Sequence, residues 1–134
     1  VSAEVVLVPS WPVPKGYANG MIGRGRVLHT GGQIGWRPDG TFPHADLVGQ
    51  FGLALDNVIA VVTAAGGDVT EIASMTIFVT DLPAYRASQR ELGAAWRARL
   101  GRHFPAMALV GVSGLVELQA LVEIQAVAYL EESR

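Results

Sequence analysis

Polar and apolar positions change rhythm several times along the chain. Residues 4–8 are a short β-branched run stopped by Pro9, Pro12 and Pro14, which predicts a first strand leaving into an irregular loop. Residues 17–22 and 26–33 predict two more strands around Gly23-Arg24-Gly25, and the flanking glycines predict a hairpin between them. Pro38-Asp39-Gly40 is a turn, because proline fixes φ and glycine accepts positive φ. From Asp46 the period lengthens: Leu47, Phe51, Ala54, Leu55, Val58, Val62 and Ala65 recur at three- and four-residue spacing. That stripe predicts an amphipathic helix capped by Asp46 and stopped at Gly66-Gly67. Residues 71–80 return to strand chemistry. Asp81-Leu82-Pro83 then opens a second helix, with Tyr85, Leu92, Trp96 and Leu100 as its buried stripe and Gly101 as its end. Two closing strands are predicted over 106–112 and 120–130.

The predicted order is βββαβαββ, an α+β arrangement with both helices on one face of a mixed sheet. If the other face met water it should be polar, yet Leu28, Ile34, Met75, Ile77, Val110 and Val127 exceed what two helices can cover. Association through the uncovered face removes that surplus without further chain. No internal repeat, low-complexity tract or linker divides the sequence, so a single domain over 1–134 is expected.

Composition agrees. Half of the 134 residues are hydrophobic and 16% are charged, a strongly apolar balance for one domain. The longest apolar stretches are interrupted by Gly, Asp, Gln or Asn before the length a bilayer span needs, so no membrane partner is expected. The N-terminal residues lack a basic leader and a long apolar centre, so they do not read as a secretory signal. There is no cysteine, which excludes disulfides and thiolate chemistry and fits a cytoplasmic protein. A net charge of −2 gives no pull toward nucleic acid. His29, His44 and His103 have no ligand-like spacing. Gly20, Gly23 and Gly25 form no phosphate loop, since no Lys-Ser/Thr follows. Trp11, Trp36 and Trp96 read as core or interface anchors.

Several segments, in order, resemble the RidA/YjgF family of imine and enamine deaminases. Gly16-Tyr17-Ala18-Asn19-Gly20 is similar to that family's Gly-Pro-Tyr-Ser-Gln-Gly loop, and Thr30-Gly31-Gly32-Gln33-Ile34 to its Thr-Ser-Gly-Gln-Ile strand end. Leu55-Asp56-Asn57-Val58 and Ala64-Ala65-Gly66-Gly67 look like its first helix. Ile77-Phe78-Val79-Thr80-Asp81-Leu82 with Tyr85 looks like its central strand and helix start, and Leu121 to Ala128 like its closing Val-Glu-Ile-Glu-Ala strand. The resemblance implies a chorismate-mutase-like fold, a homotrimer with a central barrel, and a small-molecule ligand in each cleft between subunits. It also implies hydrolysis of 2-imino acids and their enamine tautomers to 2-keto acids and ammonia, with no cofactor.

Position by position, the resemblance assigns a water-orienting carboxylate to Glu123. Set among Leu121, Val122 and Ile124, such a carboxylate is costly to bury unless paired; an interface ion pair is the alternative reading. Gln125 shares its strand face and carries no charge where the family often has a second glutamate. Tyr17 corresponds to a tyrosine bordering the cleft, or else is a packing residue with a satisfied hydroxyl. Gly31 stands for a serine that helps hold substrate. Gly31 and Gly32 offer backbone N–H groups to a ligand, though close strand packing explains two glycines as well. Gln89 falls where the family has asparagine. At four residues from Tyr85 it shares the helix stripe and is expected to be a satisfied buried amide.

Met107, in Phe104-Pro105-Ala106-Met107, stands where the family reads Pro-Ala-Arg-Ser and the arginine grips the substrate carboxylate. Losing a charge-assisted bidentate contact of roughly 1.5–3 kcal/mol weakens such binding by about ten- to a hundredfold. Either the ligand lacks that carboxylate or another cation reaches it, with Arg24, Arg26, Arg90 and Arg102 as candidates. The expected function is thus a RidA-like hydrolase of altered substrate range. The alternatives are a non-catalytic trimeric metabolite-binding or chaperone-like protein, and a ribonuclease, which the acidic balance disfavours.

Overall fold

Asp46 starts the longest helix as its side-chain chemistry predicts, its carboxylate accepting the Gly49 N–H at 3.4 Å. The computed structural model describes residues 2–132. In chain order the elements are β1 (Ala3–Val6), β2 (Gly20–Gly23), β3 (Arg26–His29), β4 (Gln33–Ile34), α1 (Leu47–Ala64), a 3₁₀ turn (Val69–Glu71), β5 (Ile72–Val79), α2 (Leu82–Ala87), α3 (Gln89–Leu100), β6 (Ala106–Gly111) and β7 (Val122–Leu130). The main sheet runs β3-β7-β5-β6, with β4 also against β7. β5 and β6 are parallel and the other pairs antiparallel, so the sheet is mixed as expected.

Strand alternation builds the core. Met75, Ile77 and Val79 of β5 and Val122, Ile124, Ala126, Ala128 and Leu130 of β7 are buried against Leu55, Val58 and Val62 of α1 and Leu92, Trp96 and Leu100 of α3. α1 is long and apolar enough to cross a bilayer by composition, contrary to the expectation that every apolar run is interrupted in time. Its stripe is spent on the sheet, and its one charge, Asp56, pairs with Arg99 of α3 at 2.7 Å. The intervening residues of β5 and β7 (Ser74, Thr76, Phe78; Glu123, Gln125, Val127, Tyr129) point to the opposite face, which carries no helix.

Four expectations are corrected. Gly23-Arg24-Gly25 does not close a hairpin: β2 pairs with β1 in a separate two-stranded sheet, and β3 pairs with β7. A Cβ at Gly25, where φ is +117°, would collide with the Leu130 carbonyl, and one at Gly23 with the Tyr129 ring. These glycines let the chain cross closely past the end of β7 rather than turn. The 26–33 strand is divided into β3 and β4, because Thr30 turns its hydroxyl to the Ala126 N–H (2.9 Å) and leaves Gly31-Gly32 outside the ladder. The second helix is two helices, broken at Ser88 (φ −114°, ψ 14°). Lastly, this chain buries Ile34, Met75 and Ile77 by itself. Of the residues taken as surplus, Val110 is the one that is exposed, at 41%.

Candidate functional site

Between α3, β6 and the loop preceding β2 lies a cavity of about 590 Å³, and it gathers three of the residues singled out by sequence: Tyr17, Gln89 and Met107. The loop is tied to the start of β6 by the Ala18 N–H, which donates to the Pro105 carbonyl at 3.0 Å, and this sets Tyr17 near Met107. Met107 is opposite Met75 in the parallel β5–β6 ladder and packs half-buried against the core on the helix side. The far wall is fixed by Trp96, whose indole N–H donates to the His103 carbonyl (3.1 Å) and whose ring stacks on Phe104 (centroids 5.9 Å apart, 7° between planes).

Gln89 is exposed rather than buried and satisfied. The break at Ser88 explains it. Tyr85 and Gln89 belong to different helices, so their four-residue spacing no longer puts them on one packing stripe. Instead Gln89, Gly93 and Arg97 follow one another at four-residue steps along α3, and all three line the cavity.

None of Arg24, Arg26, Arg90 and Arg102 reaches this cavity; its cations are Lys15 and Arg97. A Cβ on Gly93 would sit 3.2 Å from Arg97 Nη1, so the guanidinium lies back over the space that Gly93 leaves open. No carboxylate lines the cavity among the described residues. Lys15 and Arg97 escaped sequence reasoning and Tyr85 was read only as a packing residue; the four-residue march from Gln89 to Arg97 shows only once Gln89 is known to line the cavity.

Glu123, Gly31 and Gly32 form a second group elsewhere. Glu123 is opposite Phe78, on the helix-free face of the sheet, and is half-buried rather than enclosed by Val122 and Ile124. A Cβ on Gly32 would collide with Glu123 Oε2, so the carboxylate lies against the Gly32 backbone, while Gly31 has open space around it. Glu123 has no hydrogen-bond or ion-pair partner among the described residues. Gln125 shares this face, opposite Thr76. Within one chain, therefore, the sheet stands between Glu123 and Met107.

The family model described as Endoribonuclease L-PSP matches residues 11–130. The 2-iminobutanoate/2-iminopropanoate deaminase of Escherichia coli (strain K12) is 36% identical over 94 residues, covering 68% of this chain and 70% of that protein. Among solved structures, a Rid-family protein of unknown function, YyfB from Yersinia pestis, superposes with a TM-score of 0.82 at 27% identity, covering 97% of this chain and 100% of that one. E. coli TdcF with bound serine superposes with a TM-score of 0.67 at 30% identity, covering 94% and 98%.

Proposed function

Because this chain belongs to the RidA/YjgF family, we propose that it hydrolyses imines or enamines in clefts between the subunits of a homotrimer. The observation that carries the reading is Glu123, a carboxylate without a partner among the described residues, held against Gly32 on a face that no helix covers. A second copy applied to that face would bring its own cavity, with Tyr17, Gln89 and Met107, to the carboxylate. Exposed apolar side chains near this face, Val27 at 52% and Val110 at 41%, support such association.

The chemistry asks little of the protein. Glu123 accepts a proton from water as its oxygen adds to the imine carbon, the C=N electron pair moves to nitrogen, and Glu123 hands that proton to the nitrogen. The carbinolamine then collapses: Glu123 takes the hydroxyl proton as the carbonyl forms and passes it to the nitrogen, which leaves as ammonia when the C–N bond breaks. Backbone N–H groups at Gly31 and Gly32 would steady the bound molecule, and enclosure between subunits would supply orientation. Small 2-imino acids, the class named for the E. coli relative, are expected to be poor substrates, because Met107 offers a polarisable wall and no charge.

A metabolite-binding protein without turnover is the second reading, favoured by the aromatic and apolar lining of the cavity. Ribonuclease activity is not adopted: a chain of net charge −2 lacks the cationic footprint that phosphate backbones require. A coupled ammonia assay over 2-imino acids and neutral imines decides between the first two. Turnover is expected, with kcat falling by about 10²–10⁴-fold in Glu123→Ala. No rate above buffer for any compound, or an unchanged rate in the variant, rejects the enzyme.

A further inference from the structure

We propose that Arg97 is the cationic anchor of the cavity and that the ligand it selects is a carboxylate with an aromatic side chain. For the identity of the reaction this rests on the hydrolase reading, so the substrate would be an aryl-bearing 2-imino acid.

Two arginines two residues apart on α3, and so about 200° apart around the helix, show why Arg97 is free for such work. Arg99 is committed: its Nε donates to Asp56 at 2.7 Å, its Nη1 to the Ala95 carbonyl at 3.0 Å, and its guanidinium fills the space over Gly52. Arg97, on nearly the opposite side of α3, has no side-chain acceptor among the described residues and lies over Gly93 in the cavity wall. Lys15 lines the same cavity and adds a second positive charge. With no carboxylate in the lining to neutralise them, the two cations make the space favourable to an anion. Methionine at 107 takes the charge away from β6, and Arg97 returns one on α3.

The rest of the wall fixes the other end of the ligand. Tyr17, Tyr85, Trp96 and Phe104 surround the cavity with aromatic edges and faces. Its 590 Å³ falls in the range of about 300–1,000 Å³ typical of sites for ligands far larger than a short aliphatic acid. An aryl group packs there at favourable ring-to-ring distances, leaving its carboxylate toward the helix face that bears Gln89 and Arg97. A short aliphatic acid reaching Arg97 would leave most of the aromatic wall unfilled.

Calorimetric binding of phenylpyruvate, the keto acid such a reaction releases, tests the assignment without needing turnover. The wild-type protein is expected to bind it, with affinity falling as salt rises. In Arg97→Ala the affinity should drop by about tenfold, the lower end for a charge-assisted contact because this guanidinium is exposed. Arg97→Lys should recover part of the loss, and phenylacetone, which has no carboxylate, should bind both proteins alike. Gly93→Ala provides a second reading: it crowds the guanidinium and lowers phenylpyruvate affinity, while the melting temperature rises because alanine favours a helix over glycine. Equal affinity of wild type and Arg97→Ala for phenylpyruvate, or no binding by the wild type, overturns the proposal. If phenylpyruvate binding behaves as expected while no imine is hydrolysed, the anchor stands and the hydrolase reading falls.

Discussion

The two faces of the main sheet differ in what they offer a ligand, and in the proposed function each supplies what the other lacks. On the helix side there is enclosure, aromatic surface and positive charge, but no carboxylate to move a proton. On the open side the Glu123 carboxylate has no partner among the described residues and rests, half-buried, on glycine backbone. β-strand alternation is the cause: Met75 and Ile77 face the helices, while Thr76 and Phe78 bring Glu123 and Gln125 with them to the other side. Under the proposed function, such a chain would separate chemistry from recognition until copies meet.

The sharpest disturbance of the open face is Gly32→Ala. Its new Cβ would collide with the Glu123 carboxylate, the flexible end of a side chain, so the carboxylate moves and the backbone does not. A displacement of about 1 Å in a positioned group costs around a hundredfold in kcat, while phenylpyruvate affinity, set mainly by the cavity on the other face, should fall far less and the melting temperature should stay near wild type. Loss of binding together with rate would mean that the two faces are not separate functions.

The smallest effect serves as a control remote from both faces. Asp68 caps the 3₁₀ turn in a reciprocal arrangement with Glu71, and the hydroxyl and N–H of Thr70 hold its carboxyl below the usual aspartate range. A depressed folded-state pKa stabilises the fold above the unfolded aspartate range, and the gain is lost as pH falls through the lowered folded value. Asp68→Ala should cost about 1 kcal/mol in urea denaturation at neutral pH, less in acid, with substrate kinetics unchanged.

Local chemistry made most of the fold legible. The Asp46 cap, the stripe from Leu47 to Val62 and the alternation in β5 and β7 each follow from side chains close in sequence. What escaped depended on distant backbone. Gly23 and Gly25 look like turn residues until Tyr129 and Leu130 are seen lying across them. The break at Ser88, with no proline or glycine to announce it, shifted Gln89 off the packing stripe and hid the run to Arg97. The divided site was partly legible: the period of two put Glu123 and Gln125 together, but only the β5–β6 and β5–β7 registers set Met107 on the other side.

Mixing the halves tests the central claim most directly. Two variants, Glu123→Ala and Gln89→Ala/Arg97→Ala, are co-expressed and the hybrid assemblies isolated by distinct tags. If each site combines Glu123 from one copy with the cavity of another, hybrids regain activity toward an aryl 2-imino acid, about a third of wild type because every mixed trimer holds one intact site of three, though each parent is impaired. Hybrids no more active than the average of the two parents would place both halves in a single chain and contradict the account.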